Sequence, residues 1–127
     1  MGYYLTDTLN SQYKKVGFTF SNGTFNAVGS SNGIFTGVKE FSIDSRPLST
    51  TINYLLNHAS APDFILNIDD LPGGTDLSRY VNHRHGLLTT YATYYGDQAG
   101  NYTDTNLAES FNVLIYFNDI HHSQLLK

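Results

Sequence analysis

His83 and His85 are separated by one residue, so on an extended backbone both imidazoles point the same way. Two ring nitrogens on one side of a strand can grip zinc, iron or copper, provided a third ligand converges on them. His121 and His122 are further nitrogens that the fold could bring in. A second concentration of ligand atoms runs from Asp97 through Asn101 and Asp104 to Asn106. Oxygens of this kind suit calcium, although no Glu stands where an EF-hand loop needs its twelfth residue. The candidate metal set is therefore His83, His85, Asp97 and Asp104. The competing explanation is local: histidines at an exposed turn, and Asn and Asp side chains that stabilise turns by bonding their own backbone. That explanation leads, so no cofactor is expected, with calcium or a transition metal as the alternative.

Tyrosine is the other residue type that could do something. Tyr91, Tyr94, Tyr95 and Tyr102 gather within twelve positions of one another. A tyrosine offers a flat apolar face with a polar tip, which suits stacking on a sugar ring or packing at an interface. The reading without a ligand is that alternate tyrosines cover the edge of the core. Conventional catalytic signatures are missing. No Gly-x-Ser-x-Gly elbow, phosphate-binding loop or dinucleotide glycine motif is present, and the only glutamates are Glu40 and Glu109. A Ser–His–Asp set is defined in space and leaves no linear trace. Enzymatic activity stays open, with a non-enzyme favoured.

Composition narrows the classes. The chain has 127 residues, 7 Lys plus Arg against 11 Asp plus Glu, a net charge of −4, and no Cys. Disulfides, thiolate metal sites and a Cys nucleophile are excluded. So few basic residues argue against nucleic acid as a partner. No apolar run reaches the roughly 18 residues of a transmembrane segment. The length fits a single domain over residues 1–127. Charged residues are 14% of the chain against about 25% in an average soluble protein, and neutral Asn, Ser, Thr and Tyr carry the polarity. Gly2 and Thr6 fit the bare myristoylation pattern, which an aromatic Tyr3 opposes. No apolar signal-peptide core precedes residue 10, so the chain is expected to be either intracellular or a mature segment whose signal was removed. Asn22-Gly23-Thr24 and Asn101-Tyr102-Thr103 match the glycosylation triplet.

The elements that must position these residues read as follows. Ser21-Asn22-Gly23-Thr24-Phe25 recurs ten residues later as Ser31-Asn32-Gly33-Ile34-Phe35. Each Asn-Gly pair tolerates positive φ and favours a tight turn. With Val16, Phe18 and Phe20 before the first pair and Phe41 and Ile43 after the second, the segment reads as a three-stranded meander over roughly 13–20, 24–29 and 34–44. Ile52, Leu55, Leu56 and Ala59 then fall on one helical face, predicting a helix near 50–59 capped by Ser49 or Thr50 and stopped at Ala61-Pro62. Phe64, Leu66 and Ile68 alternate on a strand. Leu77, Tyr80 and Val81 share one helical turn over 76–81. Residues 87–95 read as one alternating strand. Residues 111–117 read as another, with Phe111, Val113, Ile115 and Phe117 inward and Asn112, Leu114 and Tyr116 opposite. Residues 96–107 read as a loop, and 119–127 as a tail or short docked segment. The expected fold is mainly β: an antiparallel β-sandwich or flattened barrel with one short helix.

The stretch Gly23-Thr24-Phe25, Gly29-Ser30 and Gly33-Ile34-Phe35-Thr36-Gly37-Val38, with Pro62-Asp63-Phe64 downstream, resembles secreted bacterial β-rich surface proteins that carry a C-terminal Pro-Glu-Pro sorting tail. The resemblance spans about residues 20–65, and His121-His122-Ser123-Gln124 stand where such a tail would be sought. It implies an extracellular or cell-surface location; the cytoplasm stays open. The leading functional reading is a non-enzymatic surface β-domain that binds another surface protein or itself, as an oligomer or fibre, through its strand edges. One alternative is a carbohydrate-binding module using Tyr91, Tyr94, Tyr95 and Tyr102, assisted by calcium, with a glycan as partner. Another is a small metal-dependent enzyme built on His83 and His85.

Overall fold

Val16–Ser31 form one strand of 16 residues, β1, which runs straight through the first Asn-Gly pair. The computed structural model describes residues 5, 8, 9, 12–31, 33–43, 48–90, 93, 94, 96 and 99–124. Gly23 lies inside β1 with φ of 124°, and a Cβ there would sit 1.9 Å from the carbonyl oxygen of Ile120. Its role is close approach of two backbones, not a turn. The second pair does make the hairpin: Gly33 has φ of 77°, and β2 (Ile34–Ile43) returns antiparallel to β1. The expected three-stranded meander is thus a two-stranded hairpin.

Next comes helix α1 (Ile52–Asn57), capped by Thr51, whose side chain accepts from the Tyr54 N–H at 3.2 Å. Six residues cannot hold a helix in water alone, so tertiary packing must hold it. Ile52 and Leu56 supply that packing, while Leu55 stays exposed. β3 (Asp63–Asn67) follows, then helix α2 (Asp76–Val81), capped by Thr75. β4 (Arg84–Leu88) and β5 (Thr93–Tyr94) divide the stretch expected as one strand over 87–95. Within the segment expected as a loop, Tyr102–Asn106 form β6, and at its end Leu107–Ser110 form helix α3. Val113–Ile120 form β7.

The fold is mainly β. One sheet runs β2-β1-β7-β3 with β5 added against β1, and β4 and β6 form a separate antiparallel pair. The larger sheet is mixed: β1 pairs parallel with β7 from Val16↔Val113 to Gly23↔Ile120, while β3 pairs antiparallel with β7. It does not close into a barrel, and the helices number three among the described residues rather than one. β4 and α1 lie over one face of the sheet. The main core beneath them comprises Ile52, Leu56, Ile68, Val81, Leu87, Leu107, Leu114 and Tyr116. A smaller core joins Phe20, Ile43 and Leu88.

The face that turns inward differs from the expected one on two strands. On β7 the buried residues are Leu114 and Tyr116, whereas Phe117 is exposed. On β1 Thr19 and Ser21 are buried and Val16 and Phe18 are exposed. Other expected residues do pack inward: Phe64 and Leu66 on β3 against the main core, and Phe20 on β1 with Ile43 on β2 in the smaller one.

Candidate functional site

Asn53, in the first turn of α1, is fully buried and faces the sheet. Its Nδ2 donates to Thr19 Oγ1 at 2.8 Å and to the Phe20 carbonyl at 2.7 Å, and its Oδ1 accepts from the Leu88 N–H at 2.8 Å. Thr19 Oγ1 donates to the Leu88 carbonyl at 3.0 Å. One amide thereby satisfies backbone groups of two strands, β1 and β4, that do not pair with each other. Beside it, Ser21 Oγ and Tyr116 Oη lie 2.7 Å apart. Burial pushes the Tyr116 phenol above its ordinary value, the Ser21 bond partly offsets this, and the Asp63 charge adds to the rise. Ser21 is the one buried serine in this group, and its partners are the phenol and, at 3.5 Å, the Asn53 backbone carbonyl. Neither is a general base, so this cluster is a satisfied polar core and not an activated nucleophile.

On the other side of α1 the surface opens into a cleft of about 380 Å³, lined by Leu55, Leu56, His58, Ala59, Phe64, Leu66 and Leu77. α1, β3 and α2 build its walls. Among the described residues His58 is the only titratable one in the lining. Its ring lies against Tyr54 with centroids 4.3 Å apart, and its Nδ1 is 2.7 Å from the Tyr54 carbonyl, which places the proton on Nδ1. In the neutral ring Nε2 is then the acceptor. Among the described residues no carboxylate lines the cleft beside His58.

The residues singled out from the sequence are dispersed. His83 follows α2, before β4 begins, and its Nδ1 lies 2.8 Å from the Arg79 carbonyl. His85 stands on β4, stacked on Tyr80 with centroids 3.8 Å apart, and its Nε2 is shut from solvent without a hydrogen-bond partner. Asp104 is on β6 and pairs with Arg84 at 3.3 Å. Among the described residues no three His, Asp or Glu side chains gather as metal ligands would. Asp97, Tyr91 and Tyr95 lie outside the described residues. Tyr94 is buried against Phe25 and Phe41, with centroids 5.3 and 4.8 Å away, and Tyr102 packs against the smaller core. His122 Nδ1 lies 2.9 Å from Thr24 Oγ1 and 3.4 Å from Glu40, which docks the segment after β7 onto the hairpin.

Two features escaped the sequence reading. The cleft joins residues from three elements, and only the exposed half of the α1 stripe, Leu55 and Ala59, hinted at it. Asn53 left one signal: a lone amide between Ile52 and Leu56 on an otherwise apolar helix face.

The fold resembles a succinoglycan biosynthesis protein of known structure, with a TM-score of 0.76 and 21% identity, over 94% of this chain and 27% of that one. It equally resembles a Bacillus cereus protein of known structure, with a TM-score of 0.78 and 19% identity, over 99% of this chain and 29% of the other. The chain thus spans under a third of the length of these structural neighbours. No curated protein matches its sequence. The family model named erythromycin esterase matches residues 1–120. These matches overturn the resemblance to surface proteins with a Pro-Glu-Pro sorting tail, which rested on Gly, Ser, Thr and Phe common to many β-hairpins. With it goes the reading as a structural, self-assembling surface domain. The chain belongs to the erythromycin esterase family.

Proposed function

We propose that the chain serves ester hydrolysis of the erythromycin esterase kind, supplying an apolar wall against which a bulky substrate lies, while the reacting acid and base stand on another part of the enzyme. The cleft between α1, β3 and α2 is the observation that carries this reading. Its volume of about 380 Å³ falls within the range of small-molecule sites, and its lining is six apolar residues and one imidazole. Ester hydrolysis needs a base, a group that orients it, and donors for the developing oxyanion. The cleft lining offers the first at most, whereas a hydrocarbon surface needs only the wall.

The test is an NMR titration of the chain with erythromycin, with ester opening followed by mass spectrometry in the same tubes. Shifts confined to Leu55, Ala59, Phe64 and Leu77, without opening above the buffer rate, are expected. Absence of shifts at millimolar ligand removes the wall. Opening of the ester by the chain alone removes the division of labour.

A further inference from the structure

His58 is the C-cap of α1, and the way the helix ends fixes its ring. The His58 N–H donates to the Leu55 carbonyl at 3.2 Å, a tighter turn than the helical bond back to Tyr54. That leaves the Tyr54 carbonyl among the orphan acceptors of a helix end, and His58 Nδ1, 2.7 Å away, takes it up. The Tyr54 ring lies against the imidazole, with centroids 4.3 Å apart. With the proton held on Nδ1 by a carbonyl, the neutral ring keeps one polar function, the Nε2 lone pair, which points away from that carbonyl. Among the described residues no group of the protein bonds this nitrogen. The other six residues of the cleft lining have no polar side-chain atom.

We propose that His58 Nε2 determines the specificity of this cleft by accepting a hydrogen bond from a hydroxyl on an otherwise apolar ligand. The substrate class it selects is a hydroxyl-bearing hydrocarbon ester; a ketone or ether oxygen at the same place is disfavoured. The inference rests on the reading of the cleft as a substrate wall, and adds which substrates that wall prefers. Sites of this kind take affinity from apolar walls and orientation from a few placed polar atoms. His58 is exposed, so water reaches the imidazole until a ligand lies on the wall and covers it. A hydroxyl then replaces the donor that water supplied. A carbonyl or ether oxygen brings a second lone pair against the first, and leaves both unsatisfied. Other side chains at this position would choose differently, since Lys has only donors and Gln has both functions. At the net worth of an ordinary hydrogen bond, the preference for the hydroxyl is about five-fold.

The experiment is an NMR titration of the chain with cycloheptanol and, separately, with cycloheptanone, which share a ring and differ at one carbon. Amide shifts at Leu55, Ala59, Phe64 and Leu77 give the two dissociation constants. A long-range nitrogen spectrum of the His58 imidazole reads what happens at Nε2. The alcohol is expected to bind about five-fold tighter than the ketone and to move the Nε2 resonance, while the ketone leaves it in place. His58→Phe keeps an aromatic ring beside Tyr54 and removes both nitrogens. It should bring the alcohol down to the affinity of the ketone and leave the ketone bound as before. The nitrogen spectrum needs no variant, so it decides even where the substitution disturbs the end of α1. Equal affinities in the parent chain, an unmoved Nε2 resonance at saturating alcohol, or a preference that survives in His58→Phe overturns the inference while the wall stands. Absence of shifts with both ligands removes the wall and the inference together.

Discussion

β1 and β7 present opposite chemistry on their two sides. Toward α1 and β4 they carry Thr19, Ser21 and Tyr116, polar side chains that are nonetheless buried, together with Leu114. Away from α1 they carry Val16, Phe18 and Phe117, apolar side chains that are nonetheless exposed. The polar side is stable because the side chains of Thr19, Ser21, Asn53 and Tyr116 all find partners at hydrogen-bond distance, and Asn53 ties helix, central strand and second sheet at one point. Buried networks of this kind fix one arrangement because partial satisfaction is so costly. The apolar side has no such geometric demand. It accepts any well-shaped hydrocarbon surface, and its energy is realised only when one arrives. One side specifies the fold; the other stays open.

This contrast can be broken by mutation, most severely on the polar side. Asn53→Ala strands the Leu88 N–H and the Phe20 carbonyl, and at about 1–3 kcal/mol for each unsatisfied buried group the loss should be about 2–6 kcal/mol. Urea denaturation measures it; a loss below about 1 kcal/mol would mean the amide does not bridge the layers. Tyr116→Phe should cost less, about 1–2 kcal/mol, through the lost bond to Ser21. It should also change the alkaline limb. The folded-state phenol is raised, so its stabilising contribution is complete below the unfolded value near 10 and disappears as pH climbs through the folded value. Melting curves from pH 8 to 11 should therefore fall less steeply in Tyr116→Phe than in the parent. Smallest of all, Phe18→Ser on the exposed side should leave the stability of the isolated chain within about 0.5 kcal/mol, while lowering binding of a hydrophobic dye. A loss as large as that of Asn53→Ala would show that the outer face is already packed.

The same contrast marks what could be read from the sequence. The helix near 50–59 and the strand through Phe64 and Leu66 were legible, because their apolar spacing matches one period and one buried side. The second Asn-Gly turn was legible from φ requirements alone. Period two on β1 and β7 identified strands but not which side is inward, since both sides of β7 are apolar and a one-residue change of register exchanges them. The first Asn-Gly was misread because glycine serves tight turns and close backbone contacts equally. β6, Tyr102-Thr103-Asp104-Thr105-Asn106, has almost no apolar residue to betray it; β4 alone gives it a partner. Among the candidate site residues, His83 and His85 could not be separated by spacing, because the helix that ends at Val81 delays the strand until Arg84.

The parallel pairing of β1 with β7 has a consequence for how the chain reaches this shape. The Lys15 N–H donates to Asn112 Oδ1 at the entrance of that pair across 97 residues of sequence. Local pieces, the β1–β2 hairpin above all, can form as soon as they leave the ribosome. The centre of the sheet cannot, because its two strands are far apart in sequence, with Val16 paired to Val113. Closing so long a loop before any contact rewards it slows folding. During that interval β1 offers a bare apolar edge, the state in which a nascent chain is most prone to aggregate. Gly23 leaves room for the late arrival: without a Cβ, which would meet the Ile120 carbonyl oxygen at 1.9 Å, it lets the end of β7 settle against β1.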